Sequence, residues 1–142
     1  MNFNEHLKAT RKRFGVTQKS ISSYIGVNLR TYQRYEEGKI KPLVSTLIKI
    51  TEYFGIPIDC LLGKGFYSNW EEIIPYKDKI LTALNKILKD LSPEIAERLD
   101  LTSLTESELA YFLPNIAEKI TLDDKTITIT LRGSHEVSVD VS

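Results

Sequence analysis

The stretch Thr17–Gly38, TQKSISSYIGVNLRTYQRYEEG, decides how the rest of the chain is read. Thr17 is a hydroxyl residue of the kind that caps a helix, and Gln18, Ile21, Tyr24 and Ile25 follow it at helical spacing. Gly26 stops that helix and Val27 is a single apolar plug in the turn. Asn28 caps the next helix, which runs to Glu37 and is stopped by Gly38. Tyr32 and Tyr35 lie three apart and give this second helix one buried face.

That leaves Leu29, Arg30, Thr31, Gln33 and Arg34 for the outward side, where no carboxylate occurs before Glu36 and Glu37. A solvated helix face normally mixes both signs of charge. This one offers cations and hydrogen-bonding groups from its amino-terminal end. Two helices joined by a tight glycine-containing turn form a helix-turn-helix motif, whose second helix enters the DNA major groove by that end.

Working outward, Asn2 or Asn4 can cap a helix that carries Leu7 and Phe14 on one face and ends at Gly15. Pro42 is expected to open a fourth helix, with Leu43, Leu47, Ile50 and Phe54 forming a core-facing stripe that Gly55 closes. Pro57 and Asp59 start a short fifth helix ending at Leu62. With these in view, Thr17-Gln18, Ile21-Ser22, Ile25-Gly26-Val27, Tyr32, Tyr35-Glu36-Glu37-Gly38 and Lys41-Pro42 resemble the phage-repressor, or Xre-like, helix-turn-helix family. The resemblance spans residues 3–63 and implies a five-helix domain.

It also implies roles. Gln18 stands where the family has a glutamine that bonds a phosphate and braces the recognition helix. Arg11 and Glu36 stand where it has an internal salt bridge. Ser22 replaces the usual alanine. Tyr32 and Tyr35 replace an aliphatic residue and a tryptophan, and are expected in the core. Asn28, Leu29, Arg30, Thr31 and Arg34 fall on the positions that face DNA. Arg30 can fork onto guanine O6 and N7, a contact worth about 1–3 kcal/mol of discrimination. Leu29 can pack on a thymine methyl, and Arg34 can reach a base or a phosphate. Asn28 is expected to cap its own helix with a phosphate nearby. Lys19, Gln33, Lys39 and Lys41 are expected on the DNA backbone, where they add affinity without sequence information.

The formal net charge of zero hides a division. Residues 1–65 hold eleven Lys/Arg against five Asp/Glu, whereas residues 66–142 hold eight against fourteen. A basic module joined to an acidic one is the organisation this predicts. Cys60 is the single cysteine, so an internal disulfide or a multi-cysteine metal site is ruled out, and its apolar neighbours suggest a buried thiol. His6 and His135 have no partners at metal-ligand spacing, so neither a metal nor a cofactor is expected. Met1–His6 lacks a signal-peptide pattern, and no apolar run approaches the ~20 residues of a membrane span, which predicts a cytoplasmic protein without membrane contact.

Beyond the glycines at 63 and 65, Trp70, Ile73 and Ile74 suggest an amphipathic turn before Pro75, and a longer helix follows over residues 76–91. Ser92-Pro93 opens another through Ile95, Ala96 and Leu99. Thr105 and Glu108 form a capping box for a helix bearing Leu109, Phe112 and Leu113, which Ile116, Ala117 and Ile120 are expected to continue past Pro114. From Lys125 the period becomes two. Ile127, Ile129 and Leu131, then Val137, Val139 and Val141, predict a hairpin with an odd loop at Gly133–His135 that sets Leu131 opposite Val137.

The expected architecture is therefore mainly α: a helix-turn-helix domain at 1–65, followed by an acidic α+β domain of helices and a β-hairpin at 66–142. A lone hairpin is marginal in water, and repressor half-sites are read by two-fold dimers, so residues 70–142 are expected to form a homodimerisation domain. The function expected is sequence-specific regulation of transcription on double-stranded DNA, as a repressor and without catalysis. The alternatives are an antitoxin whose acidic tail binds a partner protein, or a regulator whose tail holds a ligand among Trp70, Tyr76, Tyr111 and Phe112. A self-cleaving Ser/Lys peptidase tail is disfavoured, because no Ala-Gly dipeptide is present.

Overall fold

The computed structural model describes residues 1–133 and 135–142. It divides into two compact units, Met1–Ser68 and Asn69–Ser142. The first is helical: α1 (Phe3–Arg13), α2 (Gln18–Ile25), α3 (Leu29–Glu37), α4 (Val44–Phe54) and α5 (Ile58–Leu62).

The caps sit where the sequence puts them. Asn2 accepts from the Glu5 N–H at 3.3 Å, Thr17 from Ser20 at 3.0 Å and Asn28 from Thr31 at 2.7 Å. Each such bond satisfies a helix-end donor, and losing one costs about 1 kcal/mol. Gly26 ends α2 with φ 76°, a left-handed conformation that lets the chain reverse within the short turn to α3. The core holds Leu7, Ile21, Ile25, Tyr32, Ile50, Phe54, Ile56 and Leu61, all nearly inaccessible. Both Tyr32 and Tyr35 are buried, their rings edge to face at 6.2 Å. The fourth helix differs from expectation at its start. It begins at Val44, after Pro42, and Leu43 is an extended cap residue that is 73% exposed. Leu43 accepts the first helical bond, from the Leu47 N–H at 2.9 Å, but its side chain lies outside the core stripe.

The second unit contains α6 (Trp70–Ile73), α7 (Lys77–Leu91), α8 (Pro93–Arg98), α9 (Glu106–Ile116) and strands β1 (Ala117–Asp123), β2 (Thr126–Leu131) and β3 (Glu136–Asp140). The capping box forms, with Thr105 and Glu108 exchanging bonds of 3.0 and 3.1 Å. Pro114 is accommodated in the last turn of α9.

Two features of the sheet correct the sequence reading. First, Ala117 and Ile120 do not extend a helix. They belong to β1, the first strand of an antiparallel sheet ordered β1-β2-β3. Their three-residue spacing suits a helix, and in a regular strand it would put them on opposite faces. A bulge between Ala117 and Lys119 inserts one residue, so both side chains are buried. Second, β2 and β3 pair Ile129 with Val137 and Ile127 with Val139, so Val137 lies opposite Ile129 rather than Leu131. This is a two-residue shift, which preserves the apolar face. Leu131 instead donates its backbone N–H to the His135 carbonyl at 2.7 Å. Ser134, within the expected loop, lies outside the described residues. Ile120, Ile129 and Val137 form one buried row across the sheet, and α7 packs on the β3 side.

One glycine is fixed by its neighbour. Gly63 has φ 65°, and a Cβ there would run into the buried His6 ring. Gly63→Ala should therefore lower the unfolding free energy, read from urea denaturation, by more than the roughly 1–2 kcal/mol that a left-handed backbone alone imposes on an L-residue. An equilibrium unfolding curve superimposed on the parent's would contradict that packing.

Candidate nucleic-acid interface

The α3 helix is held from behind by one carboxylate. Arg11 on α1 donates from Nε to Glu36 Oε2 at 2.6 Å and from Nη2 to Oε1 at 3.1 Å. Its Nη1 donates to the Val16 carbonyl at 3.0 Å. Gln18, the first residue of α2, donates to Glu36 Oε1 at 3.2 Å. The Glu36 side chain is only 4% exposed. Burial works against its ionisation, yet the hydrogen bonds from Arg11 and Gln18, with the Arg11 charge, outweigh burial and lower its pKa. The same bond from Glu36 raises the Arg11 pKa. The Tyr32 phenol is pushed well above its ordinary value, by burial first and then by Glu36. The salt bridge implied by the family resemblance is thus present, and it ties α1, α2 and α3 together.

On the outward side, Leu29 is 40% exposed and Arg30, on the same turn, is 56% exposed at its side chain. Arg34 is exposed one turn on, and Thr31 is half-buried beside the cap. Asn28 uses its side-chain oxygen for the cap, as expected. Gln33 donates to Gln18 Oε1 at 3.5 Å, so these two amides link α2 to α3. Lys19 is exposed on α2, while Lys39 and Lys41 are exposed in the loop after α3.

Two features escaped the sequence reading. Arg30 Nη1 donates to Glu37 Oε1 at 2.9 Å and to Gln33 Oε1 at 3.5 Å, and Lys39 Nζ meets Glu37 Oε2 at 3.1 Å. The Lys39 bond, ahead of the Arg30 charge, lowers the Glu37 pKa. Arg30 and Glu37 are seven apart, two turns on one face, and that spacing was the available signal. The other is Lys8 on α1, which lines a shallow depression with Gln18, Gln33, Glu36 and Glu37 and so joins the same surface. Among the described residues, no cluster of His, Cys, Asp or Glu could hold a metal ion.

A helix-turn-helix family model matches residues 7–59, which runs from within α1 through α2, α3 and α4 to the start of α5. The CTXphi transcriptional repressor RstR of Vibrio cholerae is 32% identical over 80 residues, covering 56% of this chain and 71% of that protein. This chain belongs to the helix-turn-helix transcriptional regulators. The regulator is also 29% identical over 90 residues to the SPbeta prophage-derived HTH-type transcriptional regulator YonR of Bacillus subtilis, across 62% of this chain and 82% of YonR. A crystal structure of a transcriptional regulator from Listeria innocua aligns with 65% of this chain and 96% of its own, at 26% identity and a TM-score of 0.42. No helix among the regulator's described residues is long and apolar enough to cross a membrane.

The bracing carboxylate makes the fold acid-sensitive in a definite sense. The folded pKa of Glu36 is depressed, so its contribution is complete above the ordinary carboxylate value of 4.5 and is lost as the pH falls through the lower folded value. Glu36→Gln should cost on the order of 3 kcal/mol at neutral pH, since it leaves Arg11 with an uncompensated charge. Its stability should also fall less steeply than the parent's below about pH 4.5. Chemical unfolding at several pH values checks both, and parallel pH profiles for the two proteins would contradict the pairing.

Proposed function

We propose that the regulator is a sequence-specific repressor that binds double-stranded DNA as a homodimer, with the amino-terminal half of α3 in the major groove. The observation supporting this is the asymmetry of α3. Tyr32, Tyr35 and Glu36 are buried, while Leu29 and Arg30 are exposed at its amino-terminal end and Arg34 is exposed one turn further on. A helix held so firmly on one side presents the other at a fixed depth and angle, which direct readout requires.

Arg30 is the leading base reader in this account, and it exchanges Glu37 for guanine on binding. Leu29 packs on a thymine methyl, and Thr31 and Arg34 extend the contact. Gln18 braces the helix through Glu36 and can offer its remaining amide proton to a phosphate, with Asn28 near the same strand. Lys19, Gln33, Lys39 and Lys41 serve the backbone. The relatives RstR and YonR, whose names describe a phage repressor and a prophage-derived regulator, support the assignment to transcription. Residues 70–142 act as the dimerisation module and place the two α3 helices about 34 Å apart, one turn of DNA. The reading needs neither a cofactor nor a catalytic step, and it places the protein with its DNA in the cytoplasm.

Selection of bound sequences from random DNA tests the assignment. The parent should enrich one motif with two-fold symmetry. Arg30→Ala should lose preference at one base pair per half-site by about 1–3 kcal/mol. Lys41→Ala should keep the motif and weaken all sequences alike, with a shallower salt dependence. Failure of the parent to enrich any sequence would falsify specific regulation, and an unchanged motif with Arg30→Ala would remove Arg30 from the readers.

A further inference from the structure

A shallow depression of about 410 Å³ lies where α1, α2 and α3 meet, lined by Lys8, Gln18, Gln33, Glu36 and Glu37. Its two carboxylates are already matched. Glu36 takes bonds from Arg11 on both oxygens, and Glu37 meets Arg30 on one oxygen and Lys39 on the other. Lys8 differs. It is exposed on α1, and among the described residues no carboxylate pairs with it. When Arg30 turns to a base, Lys39 still holds Glu37, so Lys8 remains the charge this surface offers to an external anion. The Gln18 amide is oriented for the same anion. Its Nε2 donates to Glu36 at 3.2 Å, and its Oε1 accepts from Gln33 at 3.5 Å. A flipped amide would set oxygen against the Glu36 carboxylate, so the nitrogen end is fixed. That nitrogen carries two protons, and Glu36 Oε1 takes one of them. The second is available to an anion beside it.

We propose that this depression seats one backbone phosphate of the bound DNA, with Lys8 supplying the charge and Gln18 the hydrogen bond. The proposal rests on the reading of α3 as the helix in the major groove, and it extends the DNA contact onto α1. The seat adjoins that helix: Gln33 and Glu37 belong to α3, and Gln18 opens α2. A helix lying in the major groove runs between the phosphate backbones of the two strands. A cationic recess at its flank therefore meets backbone, whereas the outward face of α3 meets base edges. A phosphate held there fixes the depth and register of the helix and carries no sequence information of its own. Lys8 and Arg30 thus have separable signatures: one adds salt-dependent affinity to every duplex, the other selects among duplexes.

Fluorescence anisotropy with the full chain tests this, on the duplex it enriches and on a scrambled duplex of the same composition. Lys8→Met removes the charge at an exposed position and should keep the far-UV circular dichroism of the parent. It should weaken both duplexes by the same factor. The slope of log affinity against log salt should become shallower by about 0.9, the share of one phosphate. A neutral methylphosphonate walked along the enriched duplex should find a position where the parent loses affinity and Lys8→Met loses little more. Lys12→Met should keep the parent's sensitivity there, since Lys12 is exposed one turn on in α1 and lies outside the lining. A Lys8→Met protein with the parent's affinity and salt slope, or one as sensitive as the parent at every methylphosphonate position, overturns the seat and leaves α3 as the reader. A parent that binds neither duplex overturns both.

Discussion

The buried Glu36 carboxylate is the interaction on which the DNA-binding unit depends. It stands near the end of α3, receives two bonds from Arg11 on α1 and one from Gln18 on α2, and is nearly closed to solvent. Apolar packing alone would hold these helices together, but it tolerates small rotations. Directional, charge-assisted bonds to one carboxylate do not. The consequence is angular: with Glu36, Tyr32 and Tyr35 fixed inward, the positions of Leu29, Arg30 and Arg34 on the opposite face follow from the helical repeat.

The outward face is organised too. In the absence of DNA, Arg30 lies across two turns of α3 onto Glu37, which also holds Lys39. Its guanidinium is therefore extended along the helix surface. Lys39 bonds the other oxygen of Glu37, so Arg30 can leave this carboxylate while Lys39 keeps it, and DNA binding then costs Arg30 one charge-assisted bond. A base edge that accepts two hydrogen bonds from the Arg30 fork compensates for the lost carboxylate better than a single phosphate oxygen does. On this reading Glu37 favours specific over non-specific contact, although it touches no base.

The sequence showed the first unit more fully than the second, for physical reasons. In the first unit, caps, glycine stops and three-four apolar spacing all point to the same boundaries, and local signals determine most of what forms. Leu43 departs because an apolar residue after Pro42 can serve as an extended cap as well as a core residue, and spacing does not separate the two. In the second unit the decisive contacts are non-local. The strand at Ala117–Asp123 reads as helix until the bulge is known, and the bulge exists only through pairing with β2. The Ile129–Val137 register likewise keeps the apolar face that Leu131–Val137 would have kept. Within the interface, the residue types on α3 were legible. The Arg30–Glu37 contact and the part of Lys8 were not, since each depends on how long side chains lie across a folded surface.

In the proposed complex the amino-terminal half of α3 meets DNA and the second unit does not. Amide chemical-shift mapping of the full chain, titrated with a duplex carrying its enriched sequence, distinguishes the two. The largest shifts should fall at Asn28–Arg34 and at Gln18 and Lys19, with smaller ones at Lys39 and Lys41. Shifts concentrated in residues 70–142, with α3 unperturbed, would contradict it.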